Sequence, residues 1–561
     1  MDFQRIFLFL IFSFSSFLLW EAWQRSQLPP PPPAQSGPQA VVQPDVPVPT
    51  TTPATSASSP GASGVAQTPA LPVGSQLKSD QKITVTTDFL QAEINTVGGD
   101  LRHLELLRQY DRLDRAKPLV LLQEQGAHTY IAQTGLLGSG LPTHHAIFTA
   151  SASQYKLAEG AESLEVRLTS IAPDSAKVTK IYVFHRSSYL IDVSYQIENI
   201  SASTLTPSAY FQLVRDKIPP EGDTMFVPTY TGPAVYTEQD KFQKVSFTDI
   251  EKGKAKHTAT ADNGWAGMLQ HYFVSAWLPK EATQREFYTK QLENGLYSVG
   301  VVVPIAVIAP GQAGNITVPL YAGPAQALLD EVAPGLGLTV DYGWLTILAT
   351  PIFWLLSWLH GWVNNWGVAI ILLTVLIKLA FFPLSAASYR SMGKMRVVAP
   401  KLEKIKQQYG DDRERLHKAM MELYKTEKIN PLGGCLPVLI QIPVFIALYW
   451  AILASVELRY APFFGWITDL SATDPYYVLP VIMGISMYVQ SKLNPVPPDP
   501  LQAKMMQIMP IAFSVVFFFF PAGLVLYSIV NNVLSIAQQW YITRGLQAEA
   551  QAESKGVAKN R

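Results

Sequence analysis

One cysteine in 561 residues, Cys435, leaves no partner for an intramolecular disulfide, so any exported part of the chain must hold together by packing alone. Cys435 stands between Gly434 and Leu436 in an apolar run without an adjacent base, which suits a structural position better than a catalytic thiol. Charge is scarce too. Only 15% of residues are charged against 48% hydrophobic, and the 43 basic residues cancel the 43 acidic ones, so no overall field selects nucleic acid or an acidic partner. A phosphate-cradling loop, zinc-ligand spacing, a Gly-x-Ser-x-Gly elbow and a haem motif are all missing, which leaves no sign of nucleotide-driven work, hydrolysis, metal or cofactor. What remains is apolar sequence gathered toward the two ends of the chain, the composition of a membrane protein.

The first apolar run, Ile6 to Trp20, follows Arg5 and precedes Trp23 and Arg25. A cleavable signal needs small residues after its apolar region, whereas Trp20 and Trp23 suit an interfacial aromatic belt, so residues 1–25 read as an uncleaved transmembrane anchor. Residues 26–79 are rich in Pro, Ala, Ser and Thr, include the run Pro29 to Pro33, and lack apolar periodicity. They are predicted to form a disordered or polyproline-like tether. Across residues 80–324 short segments alternate, as in Leu164, Val166, Leu168 and in Ile191, Val193, Tyr195, Ile197, with Gly, Pro and Asn turns between them. That pattern predicts an all-β sandwich. The stretch Tyr297 to Ile308 is apolar on both faces, so its strand should be central.

Residues 325–364 are a connecting segment ending in a helix with Trp354, Trp358 and Trp362, predicted to lie along the membrane surface. Five apolar helices follow, over 365–384, 431–455, 475–490, 506–520 and 522–542. Two are shorter than the roughly 20 residues that cross a bilayer, which suggests a locally thinned membrane. The turn Pro521, Ala522, Gly523 makes the last two a tight antiparallel pair. The loop 385–430 carries eleven Lys and Arg residues and is expected in the cytoplasm. Counting outward places the loop 491–505, the tail 543–561 and both termini in the cytoplasm. It leaves the β domain and the loop 456–474, where Arg459 is the lone base, in the periplasm. The chain therefore reads as a polytopic α-helical membrane protein of six transmembrane helices with a large periplasmic all-β sandwich and a cytoplasmic helical hairpin.

Within the basic loop, Met395, Val398, Leu402, Ile405 and Tyr409 recur at spacings of three and four, Gly410 to Asp412 make a turn, and Leu416, Met420 and Leu423 resume the period. Two helices are expected to pair there as a coiled-coil hairpin. Its outward charges, Arg390, Lys394, Arg396, Lys401, Lys404, Arg413 and Arg415, would suit contact with the ribosome, anionic lipid or a nascent chain. A solvated face that merely follows the inside rule is the equal alternative.

Lys378 lies within an apolar helix, where an ammonium group costs about 2.5–3.5 kcal/mol at mid-bilayer. Pro383 follows five residues later, about 7.5 Å along a helix, so snorkelling to the cytoplasmic surface is one explanation. The other is a shared polar cavity. Thr374 precedes Lys378 by four residues, Gln441 interrupts the next helix, and Ser528, Asn531, Asn532 and Ser535 make a helical polar stripe. Polar residues that only staple helices together would give the same pattern. Pro437, Pro443, Pro480 and Pro510 should kink their helices, and Met483, Met487, Met505, Met506 and Met509 would line a groove adaptably or fill the core.

The motifs Asn365-Trp366-Gly367, Phe382-Pro383-Leu384, Ser391-Met392-Gly393-Lys394-Met395, Asn430-Pro431-Leu432-Gly433-Gly434-Cys435 and Pro521-Ala522-Gly523-Leu524-Val525-Leu526-Tyr527 resemble those of the YidC/Oxa1/Alb3 family of membrane protein insertases. Gln270-His271-Tyr272-Phe273 and Ala276-Trp277 resemble the periplasmic domain of its Gram-negative branch. The resemblance covers nearly everything but the tether and the last dozen residues. It implies a five-helix insertase core in the bacterial inner membrane, with a hydrophilic groove open to the cytoplasm. It also implies nascent membrane proteins as clients, action alone or beside the Sec translocon, no cofactor and no small-molecule substrate. In the family a basic residue, usually arginine, occupies the position of Lys378; lysine keeps the charge but loses the planar fork. Thr374 and Ser528 fall where members contact the inserting helix. The family's periplasmic domain resembles a carbohydrate-mutarotase sandwich, so a membrane-anchored sugar-binding or mutarotase-like protein is the alternative, although fold does not carry activity with it.

The charge distribution generates a direct test of orientation. Reporter fusions at Gly64 and Gly410 should read periplasmic and cytoplasmic respectively, and the reverse pattern would refute the predicted topology.

Overall fold

The computed structural model describes residues 46–47, 81–111, 114–125, 128–172, 175–220, 230–342, 345–410, 412–427, 436–493, 508–509, 512 and 514–559. The expected anchor 1–25, the tether 26–79 apart from Val46 and Pro47, the motif Asn430 to Cys435 and most of the loop 491–505 lie outside the described residues.

Alternation builds the first layer. Along Leu190–Asn199 every second side chain is buried, which turns Ile191, Val193, Tyr195 and Ile197 toward one core. The same rule repeats through two stacked sheets. One sheet has ten strands, ordered Thr260–Ala261, Arg285–Gln291, Tyr297–Pro304, Ser208–Arg215, His128–Leu137, Pro118–Gln125, Leu101–Tyr110, Leu90–Asn95, Lys82–Thr86 and Gln154–Lys156. The other has nine: Lys241–Lys244, Gly232–Thr237, Trp265–Gln270, Phe273–Trp277, Ala313–Pro324, Leu190–Asn199, Ala176–His185, Ser163–Ala172 and Thr149–Ala150. Neighbours run antiparallel except at the edge, where Thr84 to Thr86 pair parallel with Gln154 to Lys156. The stretch apolar on both faces forms the strand Tyr297–Pro304, which stops short of Ile308; it is buried up to Val303 and flanked on both sides, but stands third from one edge of the ten-stranded sheet rather than at its centre. A five-residue helix, α1 (Phe247–Glu251), is capped by the Ser246 side chain.

Between the sheets sits a buried ion pair. Lys180 and Asp100 have fully buried side chains with Nζ 3.9 Å from a carboxylate oxygen, and Lys180 also donates to the carbonyl of Gly98 at 3.0 Å. The rings of Phe148, Tyr182 and Tyr195 surround the ammonium at 5.5–6.0 Å, adding cation–π attraction. Asp100 accepts from Gln133 Nε2, Gln133 accepts from Gln212, and Gln212 accepts from the Tyr288 hydroxyl. Desolvation opposes both charges, lowering the Lys180 ammonium to about 8 and raising the Asp100 carboxyl above its ordinary value.

The second half of the chain is helical. It contains α2 (Thr346–Val363), α3 (Trp366–Ala380), α4 (Phe382–Tyr409), α5 (Arg413–Thr426), α6 (Leu436–Ala454), α7 (Val478–Leu493) and α8 (Ala522–Lys559). Three of these depart from the expected segments. The predicted surface helix, α2, is the one described helix long and apolar enough to cross a membrane, yet Trp354, Trp358 and Trp362 stand exposed along one side at helical spacing. The expected 365–384 span is two helices, α3 and α4, bent by 67° at Phe381. Pro383 sits in the first turn of α4, and the residue before a proline disfavours continued helix. One arm of the hairpin therefore begins at Phe382. Finally, α8 continues to Lys559, well past the expected end at 542.

Sandwich and helices share one core cluster, in which Trp265, Leu278, Leu329 and Leu336 join Phe353, Ile370, Leu448 and Leu524. The loop between α6 and α7 reinforces the joint. Arg459 lies over the rings of Tyr272, Phe273 and Tyr460 at 4.9–5.7 Å. Arg115 lies 4.4 Å over Tyr460, donates to the Thr468 carbonyl and pairs with Asp469.

The Lys180–Asp100 pair predicts that a double variant is more stable than the single one. Lys180→Met alone should destabilise the sandwich by up to about 3–5 kcal/mol, because it leaves the buried Asp100 carboxylate with Arg102 at 3.8 Å as its remaining ion-pair partner, whereas Lys180→Met with Asp100→Asn should recover most of that loss. Hydrogen exchange of the amides in Ala176–His185 measures both. Between pH 8 and 10.5 the unfolded lysine holds a proton that the folded one has released, so stability at this site should rise with pH in that window.

Candidate functional site

The position of Lys378 follows from the end of α3. Asn365 caps the start of this helix, its side chain accepting from Val368 N–H, and the proline of α4 ends it at Ala380. Lys378 thus sits in the last turn rather than mid-helix, where the exposed carbonyl ends favour a cation. Its Nζ donates to Ser535 Oγ on α8 at 2.7 Å. Ser535 in turn donates to the carbonyl of Asn531 at 2.7 Å, so its single hydroxyl proton is committed and its lone pairs face the ammonium. Among the described residues no carboxylate lies within ion-pairing distance of Lys378.

Beside it is a cavity of about 30 Å³, large enough for a water molecule, whose walls mix polar Lys378, Ser385, Gln441, Tyr527 and Asn531 with apolar Ile377, Phe381, Leu384 and Val444. Four helices contribute: α3, α4, α6 and α8. Gln441 Nε2 donates to Tyr527 Oη at 3.3 Å. Ser385 and Tyr527 were not among the expected polar residues. Tyr527 carried a signal, since it precedes Asn531 by four residues on the same face; Ser385 did not, because only the bend at Phe381 brings it round.

The expected polar set divides into three. Lys378, Gln441, Asn531 and Ser535 meet at the cavity. Thr374 and Ser528 are buried nearby, but each hydroxyl donates to its own helix, to Ile370 and Leu524 carbonyls at 2.7 and 2.8 Å. Asn532 turns toward α7, donating to Ser486 Oγ at 2.8 Å, and Gln539 follows it by donating to the Leu493 carbonyl. Those two hold α7 to α8 and lie off the Lys378 cavity. Met483 is buried in the helical core and Met487 packs on it, as core filler would.

The α4–α5 pair closes over Val398 and Leu402, against which Met395, Met420, Leu423 and Tyr424 pack, so five of the eight expected residues meet while Ile405, Tyr409 and Leu416 are not part of that cluster. Of its charges, Arg390, Lys394 and Lys404 are exposed, Lys401 pairs with Glu427 at 2.6 Å, and Arg415 with Asp412 at 3.2 Å. The side chains of Arg396 and Arg413 lie outside the described residues.

Comparison with known proteins adds independent information. The family model described as "YidC periplasmic domain" matches residues 82–355, and that described as "60Kd inner membrane protein" matches 358–550. The membrane protein insertase YidC of Nitrosospira multiformis is 55% identical over the whole of both chains. That of Methylobacillus flagellatus is 56% identical, again over the whole of both. That of Nitrosomonas europaea is 54% identical over 97% of this chain and 91% of its own. Among solved structures, an active YidC insertase with its first transmembrane domain resolved is 19% identical over 83% of this chain and 93% of its own, at a TM-score of 0.38. A galactose mutarotase related enzyme from Lactobacillus acidophilus is 10% identical over 43% of this chain and 97% of its own, at a TM-score of 0.28.

The division of the polar stripe predicts separable effects. Asn532→Ala should lower the thermal stability of the detergent-solubilised protein by about 0.6 kcal/mol, an ordinary value for a hydrogen bond between membrane helices. Ser535→Ala should leave α7–α8 packing unchanged, which hydrogen exchange in α7 would report.

Proposed function

The chain belongs to the YidC family of membrane protein insertases, and from that premise we propose that it inserts and folds integral membrane proteins of the bacterial inner membrane by way of the Lys378 cavity. The observation that carries this reading is an ammonium group that has no carboxylate partner among the described residues, held by Ser535 at the edge of a partly polar cavity in an otherwise apolar bundle. Such a group attracts the acidic or polar tail of a client. A carboxylate about 4 Å from it gains roughly 4 kcal/mol at an effective dielectric near 20, enough to draw a tail in without trapping it. Across a membrane positive outside, each negative charge carried outward gains about 2.3 kcal/mol per 100 mV, while the client's apolar segment partitions into lipid. Attraction begins the step and the potential completes it. The chain does this as an insertase, with partitioning in place of bond chemistry.

The arrangement around the cavity follows the same reading. The chain crosses the membrane six times with both termini in the cytoplasm, the sandwich in the periplasm and the α4–α5 pair in the cytoplasm. Its α2 lies along the outer surface, as its exposed row of Trp354, Trp358 and Trp362 favours. Arg390, Lys394 and Lys404 offer ribosomal RNA or anionic lipid a basic face, and the Sec translocon is the partner for clients that need it. Thr374 and Ser528 are buried with their hydroxyl protons bonded within their own helices, so an inserting helix reaches them only where α3 and α8 part to admit it.

Lys378 is where the reading can fail. Matched clients with neutral and acidic tails would be followed in cells that depend on each variant. Lys378→Arg should preserve insertion, Lys378→Ala should fail in proportion to tail charge, and Lys378→Glu should repel acidic tails most. Equal insertion by Lys378→Glu and the parent would leave snorkelling as the explanation of this lysine.

A further inference from the structure

The outer face of a sandwich ordinarily meets water, but on part of the ten-stranded sheet it does not. Tyr210, Tyr288 and Val302 are 0%, 8% and 6% exposed and form a small apolar cluster of their own. They project from the same strands as Phe211, Phe287, Val301 and Val303, which belong to the core between the sheets, and so point the opposite way.

Two glycines shape this surface. Gly135 lies opposite Tyr210, and Gly300 opposite Tyr288, on adjoining strands. A Cβ at either glycine would come within 2.6 Å of the facing tyrosine's Cζ, so both rings lie down across the sheet over bare backbone. The phenol oxygens are anchored: Tyr210 Oη accepts from His144 N–H at 3.0 Å, and Tyr288 Oη donates to Gln212 at 2.9 Å. The result is a fixed aromatic floor, with Val302 paired to Tyr210 across the strands and Leu137 at its margin.

Val46 packs against that cluster, and the next residue, Pro47, is buried. Both come from the stretch that composition alone assigns to a disordered tether. We infer that the outer face of the ten-stranded sheet, built from Tyr210, Tyr288, Val302 and Leu137, is a docking site for this chain's own proline-containing tether, with Val46–Pro47 as its occupant. The chemistry suits an extended Xaa-Pro unit. Proline restricts the backbone before docking, so little entropy is lost, and flat aromatic rings accept the neighbouring valine without needing a backbone donor that proline lacks. Docking divides the tether. Twenty residues separate Ser26 from Val46, whereas 55 separate Ser26 from Gln81. At full extension those segments reach about 70 Å and about 200 Å. The docked tether therefore holds the sandwich to a much shorter radius about the N-terminal segment than the whole linker would permit.

Hydroxyl-radical footprinting of the full-length protein in lipid nanodiscs tests this. Val46→Asp should raise the oxidation of Tyr210 and Tyr288 about tenfold or more, the population shift that burying one valine supports. Tyr182 should stay protected, and circular dichroism should be unchanged. Ala62→Asp, elsewhere in the tether, should alter neither tyrosine. Unchanged labelling of both tyrosines in Val46→Asp would overturn the proposal. So would protection that falls on dilution of the nanodiscs, which would assign the occupant to a second copy of the chain.

Discussion

An ammonium group near the end of an apolar helix must be solvated by something other than lipid, and the helical half of this protein is arranged around that requirement. Burial without a partner costs several kcal/mol. Here the cost is offset three ways: the C-terminal carbonyl end of α3, the Ser535 hydroxyl at 2.7 Å, and a partly polar cavity whose walls include Ser385, Gln441, Tyr527 and Asn531. None of these supplies a negative charge. Among the described residues the lysine is thus stabilised enough to persist without a neutralising carboxylate, the property on which the proposed attraction of an acidic client tail rests.

The same economy of hydrogen bonds governs the rest of the bundle. Thr374, Ser528 and Ser535 return their hydroxyl protons to carbonyls one turn earlier, so polar side chains within apolar helices leave no donor stranded. Asn532 finds its partner on α7 instead. A single stripe of polar residues on α8 therefore serves two purposes, solvating Lys378 on one side and stapling a neighbouring helix on the other.

In the sandwich, the buried charges are linked into a hydrogen-bonded chain. The Lys180–Asp100 pair connects through Gln133 and Gln212 to Tyr288, whose ring helps form the floor beneath Val46. One chain of hydrogen bonds thus runs from the core between the sheets to their outer surface. At the opposite boundary, Arg459 and Arg115 stack on Tyr272, Phe273 and Tyr460, where cation–π contacts add to the shared apolar core that joins sandwich to helices.

Periodicity and composition were enough to identify the β-sandwich, the Tyr297–Pro304 strand as buried on both faces, the pairing of Val398 and Leu402 with Met420 and Leu423, and a polar set of Lys378, Thr374, Gln441, Ser528, Asn531, Asn532 and Ser535 without its division between cavity and helix contacts. Those features depend on side-chain spacing within one element, which sequence displays directly. Tertiary structure decided the rest. The bend at Phe381 moved Lys378 from mid-helix to a helix end and brought Ser385 to the cavity, because a proline's effect on the chain before it depends on what the broken helix can pack against. The rotation of α8 sent Asn532 to α7 and Asn531 to Lys378, although the two are adjacent in sequence. Val46 and Pro47 had no periodic pattern to mark them, since their partners, Tyr210 and Tyr288, lie more than 160 residues away and become a surface only when glycines on neighbouring strands let the rings lie flat.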